Sequence, residues 1–151
     1  MADEGYECLR LDNQLCFPLY VCAKEVVRRY RPLLDGLGLT YTQYIAMMAL
    51  WEHRVLSVKE MGRLLYLDSG TLTPLLKKLE EMGLVTRGRD SSDERVLVVS
   101  LTDEGAAMRE RARDVPPSLA SCISIFPEDA MALKRILDGL MATFREEERL
   151  F

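Results

Sequence analysis

Cys16 and Tyr20 stand four residues apart in the stretch LDNQLCFPLYVCAKEVVRRYRPLL, so on a helix they share a face one turn apart. Tyr30 follows Cys16 by 14 residues. At 100° per residue that is about 1400°, roughly 40° short of four turns, so Tyr30 lies on nearly the same face. Along a straight helix, however, the two are about 21 Å apart. Tyr30 therefore cannot touch the cysteine of its own helix. It can touch the Cys16 of a second, antiparallel copy, with the reverse contact required by two-fold symmetry. Tyr41, just past the next turn, would close the same pocket. The chemistry such a group could do is thiolate chemistry. Peroxide attack needs the anion, an ordinary thiol is mostly protonated at neutral pH, and phenolic hydroxyls donating to sulfur favour the anion. A helix N-terminus beside Cys16 would act in the same direction. The apolar neighbours Leu15, Phe17 and Leu19 would suit an organic peroxide. The plainer alternative is that a lone cysteine on an amphipathic helix is buried filler, and spacing does not decide between the two.

A second group of residues points to nucleic acid. Ser57 stands three residues before Glu60, the spacing of a capping box, and Val58, Met61, Leu64 and Leu65 then give one apolar face. Asp68 and Ser69 can cap a further helix in which Leu72, Leu75, Leu76, Leu79 and Met82 face a core, with Gly83 as its stop. The other face carries Ser69, Gly70, Thr71, Thr73, Pro74, Lys77 and Lys78, small, hydroxylic or basic residues that allow close approach to a groove. Lys77 and Lys78 could equally be solvated surface. Two β-type runs follow, Leu84 to Thr86 and Val96 to Val99, around the turn-forming GRDSSDER. That is a two-stranded hairpin whose tip presents Arg87, Arg89 and Arg95 for phosphates or a minor groove. Asp93 lies two residues before Arg95, so on a strand the pair would share a face and fix the guanidinium.

Taken together these motifs carry a resemblance. Asp93-Glu94-Arg95 followed by Val96 to Thr102 is similar to the D-x-R wing and following L-T of the MarR family of winged-helix transcription regulators. LDNQLCF (Leu11 to Phe17), LTYTQY (Leu39 to Tyr44), LWEH (Leu50 to His53) and LYLDSGTLTPLLKKLE (Leu65 to Glu80) resemble its organic hydroperoxide resistance regulator (OhrR) branch. The resemblance runs from about Leu11 to the C-terminus and is weakest after Arg113. It implies a mainly α fold with a small β-hairpin wing, and a homodimer built from residues 12–36 and 103–151. Residues 57–102 form the winged helix-turn-helix within a single domain, 1–151. It also implies a repressor of double-stranded, pseudo-palindromic operator DNA, relieved when an organic hydroperoxide oxidises Cys16. Tyr20, Tyr30 and Tyr41 stand at the positions of tyrosines that assist that cysteine. Some OhrR-like proteins place a second, resolving cysteine late in the chain, and Cys122 stands at about that place. Pro18 departs from the pattern. Within the class the alternative is release by a non-covalent apolar or phenolic ligand. Outside it, Cys16 with its tyrosines could belong to a thiol peroxidase, against which the winged unit argues.

The whole chain sets bounds. Its 151 residues, 48% of them hydrophobic, are enough for a real core and argue against disorder. No apolar run approaches a membrane span, and MADEGYECLR has no signal-peptide core, so a cytoplasmic protein with reduced cysteines is expected. Cys8, Cys16, Cys22 and Cys122 have no paired ligand spacing and His53 is the sole histidine, so no metal or other cofactor is expected. The net charge of −4 seems to oppose DNA binding. By segment, however, residues 1–57 hold 6 basic and 7 acidic side chains, 58–101 hold 7 and 7, and 102–151 hold 7 and 10. A local patch, presented twice by a dimer, must do the binding.

Several elements must position these residues. Residues 1–10 read as a loose arm. A helix from Asp12 to about Leu34 either starts near Cys16 or kinks at Pro18, and Pro32, Gly36 and Gly38 mark its exit. Thr40 and Gln43 open the next helix, to about Glu52. Thr102 caps one running to about Val115, which Pro116-Pro117 breaks or bends. Pro127, Glu128 and Asp129 start the last, with Leu133, Ile136, Leu137, Leu140 and Phe144 as a stripe for a partner helix or for intrachain core. Cys22, Tyr44 and Tyr66 are expected in structural roles (Cys22 in the core), Cys8 as an exposed bystander and His53 in helix-end packing. Glu146 to Glu148 should be a solvated face.

Overall fold

The computed structural model describes residues 5–147. Its elements are α1 (Cys16–Asp35), α2 (Tyr41–His53), β1 (Val55–Ser57), α3 (Val58–Leu65), α4 (Ser69–Glu81), β2 (Val85–Arg89), β3 (Leu97–Leu101), α5 (Asp103–Ala112), α6 (Val115–Cys122) and α7 (Pro127–Glu147). The fold is mainly helical with one small antiparallel sheet, as expected. The chain forms two compact units, one ending at Leu119 and the other beginning at Ala120.

The helix starts follow the capping chemistry. Thr40 and Ser57 each form a complete capping box, with Gln43 and Glu60 returning to the cap's own N–H. The Asp68 carboxylate accepts from the Thr71 N–H at 2.8 Å, and Thr102 Oγ1 from the Gly105 N–H at 2.9 Å. Gly83, at φ +74°, stops α4: its N–H and that of Leu84 bond back to the carbonyls of Glu80 and Leu79. Leu34, Met47, Leu50, Met61, Leu72, Leu76 and Leu79 fill the centre of the first unit with Leu84, Val85 and Val99 from the sheet.

Several expectations are corrected. The sheet has three strands in the order β1-β3-β2, because Val55–Ser57 pairs with β3 (Leu56 opposite Val99) as well as β2 does. A three-residue strand carries too little alternation to be read in advance. Of the two alternatives for α1, the first holds: the helix starts at Cys16, so Pro18 falls in its first turn, where no helical N–H is lost. Pro32 does not end α1 but lies within it; the carbonyl it leaves unbonded belongs to Arg28 on an exposed face, where water can serve it. Pro116 and Pro117 begin α6 instead of breaking a helix, and α5 ends earlier, at Ala112. The segment before α1 is not loose throughout: short 3-10 turns span Glu7–Leu9 and Leu11–Asn13, and Asn13 and Gln14 donate to the carbonyls of Glu7 and Cys8. Cys22 is exposed, not core, because Leu34 is the sole buried residue of α1. The side chains of the acidic run at 146–148 lie outside the described residues.

The first unit is tied together across α5. The Trp51 indole donates to the Gly105 carbonyl at 2.8 Å, Thr102 Oγ1 donates to the Gly83 carbonyl at 2.7 Å, and Arg111 donates to that of Gly36 at 2.6 Å. Gly105 is buried against Leu84, just before β2, and Leu101 at the end of β3: a Cβ there would clash with the Leu84 carbonyl oxygen and stand 2.9 Å from Leu101 Cδ1. Gly105→Ala is therefore expected to cost about 1–3 kcal/mol, since backbone must move to admit the methyl group. Urea unfolding of the variant should show a lower midpoint with an unchanged slope; an unaltered midpoint would mean that α5 parts freely from Leu84 and Leu101.

Candidate functional site

Cys16 is the first residue of α1 and is exposed. Its N-cap, Leu15, has no side chain to accept from the first-turn N–H groups, so these remain available to an anion at the helix end. Tyr20 lies one turn on, 62% exposed, with Lys24 Nζ 5.4 Å from its ring centre. The tyrosines farther along form a second cluster. The Tyr30 and Tyr41 ring centres are 4.8 Å apart, Tyr30 and Tyr44 are 5.7 Å apart, and Tyr44 meets Trp51 edge-on at 6.2 Å. Burial, then the neighbouring Tyr41 and Tyr44, pushes the Tyr30 phenol up to about 12. Tyr41 is raised by burial, and Tyr44 by burial and then Tyr41. All three hydroxyls thus stay protonated, as hydrogen-bond donors, across the neutral range. The structure brings Tyr30 and Tyr41 together and sets Cys16 and Tyr20 on one face. It does not bring the two pairs together within one chain, since about 21 Å of helix separates Cys16 from Tyr30. Cys122 ends α6, and both it and Cys8 are exposed. Tyr44, 2% exposed, is structural as expected.

On α4 the exposed residues are Ser69, Gly70, Thr71, Thr73, Pro74, Lys77, Lys78 and, at its end, Glu81, while Leu72, Leu75, Leu76 and Leu79 are buried. The Thr73 hydroxyl donates back to the Ser69 carbonyl at 2.8 Å, and Lys78 Nζ stands 3.5 Å from the Glu81 carboxylate. At the hairpin tip Asp90 organises the turn by accepting from the Ser92 and Asp93 N–H groups and the Ser92 hydroxyl. Arg95 donates through Nε and Nη2 to the two Asp93 oxygens at 3.1 and 3.3 Å, and its own N–H adds a third bond at 3.0 Å. The pair forms in a turn instead of on a strand, yet its effect is the one expected: a guanidinium held in one orientation with its side chain 91% exposed. Arg89 ends β2 and is exposed.

Arg87 is placed differently from the other cations. Its Nε and Nη2 donate to one oxygen of Glu80 at 3.0 and 2.8 Å, and its backbone N–H to the other at 3.0 Å. These bonds hold the Glu80 carboxyl below the usual carboxylate range. Glu80 has no place in the sequence reading. Seven residues separate it from Arg87, and the intervening chain reverses direction at Gly83, so no helical or strand spacing links the two. Lys24 was likewise missed, although its four-residue spacing from Tyr20 was visible.

A helix-turn-helix followed by a two-stranded hairpin with a cationic tip, its sheet completed by a short strand that precedes the helices, defines a winged-helix regulator. Residues 28–111 match the family model of the SarA/Rot transcriptional regulators. The organic hydroperoxide resistance transcriptional regulator of Bacillus subtilis (strain 168) is 46% identical over 145 residues, 96% of this chain and 99% of the relative. Reduced AbfR bound to DNA is a structural neighbour with a TM-score of 0.78 and 36% identity, covering 93% of this chain and 96% of that one. AbfR is a protein of Staphylococcus epidermidis. Its disulfide-formed structure matches with a TM-score of 0.63 and 37% identity, over 93% and 99%. The chain belongs to the SarA/Rot-type, MarR-like family of winged-helix transcriptional regulators. Among the described residues no helix is long and apolar enough to cross a membrane, and no cluster of side chains could hold a metal ion.

The tyrosine cluster makes stability pH-dependent on the alkaline side. An unfolded Tyr30 loses its proton near pH 10, while the folded one keeps it to about 12. The stabilisation is therefore whole below 10 and is lost as pH rises from 10 towards 12. Urea midpoints measured across that window should fall, and Tyr30→Phe should flatten the fall. Equal slopes in wild type and variant would show that Tyr30 is as exposed in solution as in the unfolded chain.

Proposed function

We propose that the chain is a DNA-binding transcriptional repressor of the cytoplasm, working as a homodimer, and that organic hydroperoxides relieve repression by oxidising Cys16. The observation that carries this reading is an exposed Cys16 at the free N-terminus of α1 in a chain 46% identical, over nearly its whole length, to an organic hydroperoxide resistance regulator. The family's DNA-bound, reduced neighbour and its disulfide-formed counterpart support both halves of the reading. Residues 57–102 act as the DNA-binding unit. Ser69 to Lys78 of α4 lie in the major groove, and Arg95, oriented by Asp93, enters the flanking minor groove with Arg89 beside it. Residues 12–36 and 103–151 supply the dimer contacts. The exposed apolar side chains of α1 (Phe17, Leu19, Val27) and of α7 (Met131, Leu133, Ile136, Leu140, Phe144) support that assignment.

The redox step balances simply. The Cys16 thiolate attacks the outer oxygen of the hydroperoxide, which passes to sulfur as hydroxyl to give a sulfenic acid; the O–O bond breaks, and the departing alkoxide takes a proton from solvent and leaves as the alcohol. Tyr20 of the same chain and Tyr30 and Tyr41 of the second copy donate hydroxyls to the anion. The sulfenic acid then condenses with a thiol, Cys122 by this reading, and releases water. A Cys16–Cys122 bond needs Cα atoms within about 7 Å, so the helices bearing them shift and the spacing of the two recognition helices changes. A thiol peroxidase is disfavoured because the relatives are transcriptional regulators. A purely non-covalent effector leaves the exposed thiol without a use.

Three measurements test this reading. Arg95→Ala should weaken operator binding by about 1–3 kcal/mol, and Lys77→Ala should lower the salt slope by about one. Unchanged affinity and slope in both would remove the winged unit from the binding argument. One equivalent of cumene hydroperoxide should release DNA from wild type but not from Cys16→Ser. On a non-reducing gel the treated wild type should run as a covalent dimer, while Cys122→Ser stays monomeric with a trappable sulfenic acid. Release from Cys16→Ser would overturn the role of this thiol, and a cross-linked Cys122→Ser would move resolution to Cys8 or Cys22.

A further inference from the structure

Glu80 is an acidic residue in a surface that the reading above assigns to DNA. It also stands in the last turn of α4, where the helix dipole disfavours a carboxylate. What holds it there is Arg87, whose guanidinium and backbone N–H together give the carboxylate three hydrogen bonds of 2.8–3.0 Å. The contact is more sheltered than the other described ion pairs. The Arg87 and Glu80 side chains are 25% and 37% exposed, whereas Arg95 of the wing-tip pair is 91% exposed. Arg87 lies at the middle of β2, opposite the buried Val99 of β3. The three bonds therefore tie the far end of α4 to the root of the wing.

We propose that Glu80 and Arg87 are positioning residues that set operator specificity, by fixing the span between the groove-facing side of α4 and the tip of the wing. The inference rests on the DNA-binding reading. A helix in a major groove and a wing in the adjacent minor groove must meet the duplex at a set separation, and backbone contacts carry that register without reading sequence themselves. With the clamp intact, both contacts are made in one register. With it loosened, helix and wing each still meet phosphates, but not at a common register. Glu80 thus weakens unspecific attraction through its charge and strengthens discrimination through its geometry. Arg87, engaged by Glu80, is not one of the wing's phosphate contacts.

Those two effects have opposite signs, which makes the test sharp. The variants are Glu80→Gln, which keeps shape and removes charge, Arg87→Lys, which keeps charge and removes the fork, and Arg87→Gln, which removes both. Binding is measured on a duplex enriched by the wild-type protein from a random-sequence pool, and on the unselected pool, over a range of salt. Amide hydrogen exchange of residues 85–101 is followed without DNA. Glu80→Gln should bind the unselected pool as well as wild type or up to about threefold better. It should lose about tenfold on the enriched duplex. Arg87→Lys should lose a similar share of the discrimination with its salt slope intact, and in both variants β2 should exchange faster. If Glu80→Gln instead tightens binding to both duplexes alike and Arg87→Gln lowers the salt slope by about one, Arg87 is a phosphate contact that Glu80 restrains, and the proposal is wrong. Unchanged discrimination and unchanged exchange overturn it as well. Wild type that binds neither duplex overturns the DNA-binding reading and this role with it, whatever the exchange shows.

Discussion

Leu72, Leu75, Leu76 and Leu79 form one ridge of α4, and none is more than 7% exposed. Burying a leucine side chain contributes about 1.5–3 kcal/mol, so the ridge supplies roughly 6–12 kcal/mol before entropy is counted. That is of the order of a domain's whole net stability. Turning α4 by one residue would bring a lysine or a threonine into the core and put a leucine into water. The helix therefore has one allowed rotation, and its exposed face, from Ser69 to Lys78, follows from what is buried. The sheet depends on the same ridge, because Val85 and Val99 complete the pocket that receives it. The wing's root is thus fixed by packing, and hydrogen bonds set the direction of its tip.

The thiol end of the molecule obeys the opposite rule. The α1 helix buries Leu34 near its C-terminus, while Leu15, Phe17, Leu19 and Tyr20 around Cys16 are exposed in the single chain. A helix that carries so much apolar surface beyond its own chain's core has to find it cover elsewhere, and a second copy is the cover proposed above. Chemistry leads the same way. Tyr30 and Tyr41 meet with tilted rings near the far end of α1, their phenols raised by burial, too far along the helix to serve the thiol of their own chain. By this reading the site is divided between two chains, and dimerisation is a condition of reactivity as well as of DNA binding.

Two carboxylate–arginine pairs of similar chemistry do different things here. Asp93 grips Arg95 in a solvent-facing turn and leaves the cation displayed. Glu80 grips Arg87 in a partly enclosed corner and turns the cation inward. Exposure decides between them. An arginine fork held from behind by one carboxylate still has donors to offer, whereas one enclosed against a helix serves as a tie. This is also how a chain of net charge −4 can present a cationic edge: its acids are spent on caps, turns and ties within the winged unit.

The sequence alone determined whatever rests on local spacing. The capping pairs Thr40/Gln43 and Ser57/Glu60, the leucine ridge of α4 and its glycine stop were all legible, because each is settled within about two helical turns. The Asp93–Arg95 pair was legible too, although a turn brings it about and not a strand. The family was legible because several such motifs occur together in order. What tertiary structure decided involves partners that no short period connects. Strand β1 exists because β3 offers it an edge, and three residues show no pattern of their own. Pro32 stays inside α1 where the carbonyl it leaves unbonded belongs to the exposed Arg28, which composition does not reveal. Cys22 is exposed because packing reaches only the far end of its helix. Arg87 faces Glu80 because the chain folds back at Gly83 and brings a strand beside the helix it has just left. Side-chain type and spacing name the groups that can do chemistry, but the direction in which each points is set by the three-dimensional packing around it.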